Sequence, residues 1–123
     1  MCGNTMRNPG AKHIDFNAFE GVLWNPKVLP SNIDMIIERN GHFLIGEWKR
    51  DDEDLSRGQE ILLKALAKEK NKLVILINGS TDNGTTTVKE FSRICSDGTI
   101  QRRGYGLNEL LEYYRRWGRV VNQ

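Results

Sequence analysis

The sequence predicts a small α/β fold, a mixed β-sheet packed between helices. Three features carry that expectation. Asn40-Gly41 sits between two apolar runs, and that dipeptide is a strong hairpin signal because a type I′ turn needs positive φ at both central residues. Lys72 to Ile77, KLVILI, is a nearly continuous apolar run of strand length, as expected of a central strand covered on both faces. A helical pattern lies between the two, so the strand after it is expected to pair in parallel with the second hairpin strand.

The chain has 123 residues, which suits one domain over 1–123, with residues 1–11 as a loose arm. Its 38% apolar and 28% charged residues are those of an ordinary globular protein. The apolar runs are too short for a membrane span, and the N-terminus lacks the apolar stretch of a secretory signal. Cys2 and Cys95 form neither a metal-ligand spacing nor a disulfide framework, so a reducing cytoplasm is expected. His13 and His42 are too isolated for a zinc site. A net charge of +2 selects no class of partner by itself. The C-terminal stretch 101–123 is basic, with Arg102, Arg103, Arg115, Arg116 and Arg119 set against Glu109 and Glu112.

Element by element, Phe16, Phe19, Glu20 and Leu23 follow a helical spacing that predicts a helix from His13 to Leu23, weakened by Gly21. Asn25-Pro26 and Pro30 mark a loop. The hairpin strands are Ile33–Glu38 and His42–Lys49. Asp51 to Asp54 reads as a solvated acidic loop. A helix over 56–68 follows, with Leu55, Gln59, Leu62 and Leu66 on one face and a capping box in Ser56-Arg-Gly-Gln59. After the strand Lys72–Ile77, residues 78–84 are turn chemistry with no helix behind them to cradle a phosphate. Residues 85–95 and 99–102 form a second hairpin around Ser96-Asp97-Gly98. A final helix over 107–117 is expected to bury Leu107, Leu110, Leu111, Tyr114 and Trp117.

The first hairpin fixes more than topology. With a two-residue turn, Arg39 pairs with His42 and, counting outward, Asp34 falls opposite Glu47 at a non-hydrogen-bonded position, where α-carbons approach to roughly 4.5 Å. Asp34, Glu47 and Lys49 then share one face. Like charges directly opposite destabilise a sheet, and the flanking Ile33, Met35, Ile45 and Trp48 make an unpaired carboxylate there costly. A cation between the carboxylates is the simplest compensation.

These residues resemble a known family. Pro30-Ser-Asn-Ile-Asp34, twelve intervening residues and then Glu47-Trp48-Lys49, followed by a helix carrying Gln59, is similar to the PD-(D/E)XK nuclease signature. The closest flavour is the small VRR-NUC and Holliday-junction-resolvase-like branch, including phage-encoded members. The resemblance covers residues 14 to 77 and implies a restriction-endonuclease-like core, to which the C-terminal hairpin and helix are an addition. It implies Mg²⁺, with Mn²⁺ as a substitute, held by Asp34, Glu47 and the backbone carbonyl of Trp48. Lys49 would orient or deprotonate the attacking water. It also implies a metal-dependent deoxyribonuclease that cuts DNA structure-selectively and leaves 5′-phosphate and 3′-hydroxyl ends. The expected setting is a bacterial or phage-infected cell, as a homodimer or within a larger replication, recombination or packaging complex. A non-catalytic nucleic-acid-binding module of the same fold is the alternative.

Several roles stay open on sequence. Gln59 either closes the capping box or, as the resemblance implies, projects towards the metal site. Glu20 stands where the family often carries an acidic residue on its first helix; Asp15 is its rival, and a solvated carboxylate is the plain reading of both. The five C-terminal arginines, interleaved with Tyr105, Tyr113, Tyr114 and Trp117, form either a phosphate-backbone track or the outer face of an amphipathic helix.

Overall fold

The computed structural model describes residues 15–123, and the chain divides into two units, up to Asn32 and from Ile33 to Gln123. The arm at 1–11, together with Cys2 and His13, lies outside the described residues. Among the described residues of the first unit, a 3₁₀ turn, Asn17–Phe19, stands in place of the expected helix. Two local causes stand out. The Asp15 carboxylate accepts the Asn17 backbone N–H at 2.7 Å, the kind of side-chain bond that competes with helix propagation. Gly21 adopts φ 77°, a left-handed conformation at which a helix stops.

The second unit is a five-stranded mixed sheet with a helix on each face. Strands β1 (Met35–Arg39), β2 (His42–Lys49), β3 (Lys72–Ser80), β4 (Thr87–Ile94) and β5 (Ile100–Tyr105) lie side by side in sequence order. Only β2 and β3 are parallel, joined by α1 (Arg57–Ala67); α2 (Gly106–Val121) follows the β4–β5 hairpin. Asn40 and Gly41 take φ 53° and 80°, and β1 meets β2 in the expected register, from Arg39↔His42 to Met35↔Gly46. The hairpin tip is tied down: Asn40 Nδ2 donates to the Val121 carbonyl at 2.8 Å, and Asn71 Nδ2 to the Gly41 carbonyl at 2.8 Å.

The alternation of β2 separates two cores. Leu44, with Ile75, Ile77 and Phe91, packs under Leu110 of α2, with Tyr113 and Trp117 against the same cluster. Ile45, with Val74 and Ile94, packs under Leu63 and Ala67 of α1. Both helical stripes are rotated from expectation. The centre of α1 is Leu63 and Ala67, with Leu55 and Leu66 at its margin. That of α2 is Leu110 and Val121, while Leu111 and Tyr114 are exposed, and the helix continues about a turn beyond Trp117. Among the described residues no helix is long and apolar enough to cross a membrane.

Candidate active site

Regular pairing of β1 with β2 stops at Met35↔Gly46, one residue short of the two facing acids. There the Asp34 side chain takes over from the missing ladder: its Oδ2 accepts the Trp48 backbone N–H at 3.0 Å. In an extended strand a residue's N–H and C=O point to the same edge, so the Trp48 carbonyl faces the side where Asp34 lies.

Glu47 is the one buried charged side chain among the described residues, with 5% of its surface exposed. It belongs to the α1 face of β2, in line with Ile45 and Lys49. Three neighbours meet it. Gln59 Nε2 donates to Oε2 at 2.7 Å, Lys49 Nζ lies 3.8 Å from the same oxygen, and the Asp34 side chain is within hydrogen-bonding reach. Burial pushes the Glu47 carboxyl up from 4.5 to about 7; the Asp34 charge and the hydrogen bond between the two carboxyls push the same way, against Lys49.

The two ends of the Gln59 amide reach two different partners, the helix cap and Glu47. The amide Oε1 accepts the Ser56 backbone N–H at 3.3 Å, while Ser56 Oγ accepts the Gln59 backbone N–H at 3.2 Å, completing the capping box. With the oxygen held by the cap, the amide nitrogen is the end that reaches Glu47. Helix capping therefore orients a site residue.

The fold thus brings Asp34, Glu47, Trp48, Lys49 and Gln59 together. Asp15 and Glu20 belong to the N-terminal unit, where Asp15 bonds the adjacent turn and Glu20 ends it. Among the described residues no three His, Cys, Asp or Glu side chains cluster as a metal group, so the donor set rests on two carboxylates. That set suits a hard cation such as Mg²⁺, which takes oxygen ligands and keeps several waters.

Arg102 lies on the same face as the carboxylates, paired in register with Ser92; its guanidinium stands 4.8 Å from the Tyr105 ring and 3.8 Å from Glu90. Arg103 is the extra residue of a β-bulge in β5. Arg115, Arg116 and Arg119 are on α2, across the sheet, and Arg115 and Arg119 both bind Glu112. The row of Lys49 contains two polar residues the sequence did not single out, Asn78 beside it on β3 and Glu90 beside Asn78 on β4. Their place depends on a parallel register and a bulge between Asn78 and Gly79, neither of which leaves a local sequence signal. No protein-family model, curated protein or solved structure matches this chain.

Proposed function

We propose that this chain is a metal-dependent endonuclease that hydrolyses DNA phosphodiester bonds, built on a PD-(D/E)XK core formed by β1, β2, α1 and β3. The observation that carries the reading is the buried Glu47 carboxyl, crowded by Asp34 and flanked by Lys49 and Gln59. A purely structural acid at that depth is better placed opposite a cation than opposite a second acid.

Asp34, Glu47 and the Trp48 carbonyl would hold Mg²⁺ or Mn²⁺. When bound, such an ion supplies charge neutralisation at the phosphate and acidifies water. The remaining work falls to the chain. Gln59 and Lys49 both engage Glu47 Oε2 and hold its orientation. Lys49 Nζ, the cationic group beside the carboxylates, orients the attacking water. The water gives up a proton to solvent as its oxygen bonds to phosphorus, the bond from phosphorus to the 3′-oxygen breaks, and the departing oxygen takes up a proton from solvent. A 5′-phosphate and a 3′-hydroxyl result.

The test is cleavage of a labelled panel (four-way junction, splayed arm, single strand, duplex) with Mg²⁺ or Mn²⁺, beside Lys49→Ala and Asp34→Asn. Metal-dependent cutting that both variants lose supports the enzyme, and the panel identifies its substrate. Binding with no cutting in either metal would make the chain a non-catalytic nucleic-acid-binding module instead. End-labelling checks the product ends: ends that ligate only after repair would sink the stated bond cleavage. Homodimerisation, two sites for two strands, is checked by light scattering with DNA present.

A further inference from the structure

A cleft of about 400 Å³ opens on the opposite side of the sheet, between α2 and the beginnings of β2 and β3. Arg93, Arg116, Lys70 and His42 line it together with the rings of Tyr113 and Trp117, and no Asp or Glu does. Lys72 contributes to the wall, although its ammonium lies 5.4 Å from the centroid of the Phe43 ring.

Arg93 is the unusual member. It stands in β4 opposite Ile75, so its side chain points under α2. Its Nε is buried and has no hydrogen-bond partner among the described residues. A buried, unpaired guanidinium nitrogen is costly, and a carboxylate or phosphate would normally compensate it. Glu112, one turn before Arg116 on α2, is already committed: it is bound by Arg115 at 3.1 Å and Arg119 at 3.0 Å. Arg116, which lines the cleft, takes part in no ion pair among the described residues. Two guanidinium groups without an ion pair among the described residues, a concavity and no lining acid are the components of an anion site. Guanidinium forks match phosphate oxygens, and adjoining aromatic rings offer a nucleobase a stacking surface.

We propose that this cleft is a second site, separate from the carboxylate cluster, that takes a phosphate ester of the nucleotide class through Arg93 and Arg116. The ester is either a free nucleotide or one phosphate of a strand. The inference does not rest on the nuclease reading, and its test excludes metal.

The full chain in EDTA is titrated with a labelled short oligothymidylate and, separately, with a mononucleotide and with inorganic phosphate. The wild type is expected to bind at least one of these probes. Arg116→Ala weakens that binding about tenfold or more. If the strand is the ligand, the same change lowers its salt slope by about one. Arg93→Met also loses binding, with a melting temperature equal to or above that of the wild type, because the substitution removes an uncompensated buried group. Arg116 is exposed, so its variant keeps the test valid should Arg93→Met fail to fold. Mononucleotide that binds and displaces the strand assigns a free nucleotide; strand binding that mononucleotide and phosphate do not displace assigns a backbone phosphate. Either outcome supports the site. No binding of any probe, or equal binding by wild type, Arg93→Met and Arg116→Ala, overturns it. Asp34→Asn is expected to bind like the wild type, so loss of cleavage and loss of cleft binding are separate failures.

Discussion

The two faces of the sheet treat buried charge in opposite ways. On the α1 face, Glu47 is surrounded by the chain's own groups: Gln59, Lys49 and Asp34 all reach it. On the α2 face, the Arg93 Nε has none among the described residues. A buried charge is tolerated when it is paired and hydrogen-bonded. The acid is therefore over-supplied, with a second acid among its neighbours, and the base is under-supplied. Each imbalance points to an external ion of the complementary sign, a cation on one face and an anion on the other.

The largest effect should come from the over-supplied face. Lys49→Ala is expected to lower cleavage by about 10²–10³-fold, the range typical of removing one preorganised donor at the reacting centre. Far-UV circular dichroism should stay unchanged, because Lys49 lies at the end of β2. Unchanged cleavage would remove Lys49 from the chemistry and leave its contact with Glu47 as a structural ion pair.

The next effect is on stability. The folded Glu47 carboxyl titrates near 7, above its ordinary 4.5. Between those values the folded state keeps a proton that the unfolded chain has already released. Stability should therefore fall as pH rises through that window, by on the order of 3 kcal/mol in metal-free buffer. Glu47→Gln keeps the shape and removes the ionisation, so it should flatten the pH dependence and melt higher than wild type at pH 8. Mg²⁺ should raise the wild-type melting temperature at pH 8 and leave Glu47→Gln unmoved. A wild type whose metal-free stability increases through this window would show that Asp34 and Glu47 do not crowd each other.

Ser56→Ala sharpens the link between helix cap and site. Losing the cap is expected to cost about 1 kcal/mol. Ser56 Oγ also donates to Gln59 Oε1 at 3.3 Å; without it the Ser56 backbone N–H alone holds that end of the amide, so Glu47 should be positioned less well and cleavage should fall by a smaller factor than in Lys49→Ala. A double-mutant cycle with Gln59→Ala separates the two contributions. Strict additivity would mean that the cap and the contact with Glu47 act independently.

The acid face was far more legible in the sequence than the base face, for a physical reason. A two-residue Asn-Gly turn fixes register locally, so Asp34, Glu47 and Lys49 could be placed by counting. Gln59 was legible because the Ser56 capping box is a short-range pattern. Arg93, by contrast, sits in a strand whose face depends on the β3–β4 register, and its missing partner is a fact about residues far away in sequence. The stripe of α2 was misplaced because Leu111 and Tyr114 are as apolar as Leu110 and Tyr113, so composition could not select the buried set. The helix from His13 failed to a local bond at Asp15 and to Gly21, which a hydrophobic pattern does not register.

The smallest expected effect discriminates best between the two readings of the basic C-terminus. Arg115, Arg116 and Arg119 are neighbours on α2, and a diffuse phosphate track would use all three alike. Their environments differ. Arg115 and Arg119 share Glu112 on the exposed surface, where ion pairs contribute little and salt screens them. Arg116 lines the cleft beside Arg93. Arg119→Ala should therefore leave oligothymidylate and nucleotide binding unchanged, whereas Arg116→Ala should weaken it. Equal losses in the two variants would favour a diffuse electrostatic surface, since long-range attraction counts charges without regard to their position. A loss confined to Arg116 means that the cleft, with Arg93 at its base, holds the anion.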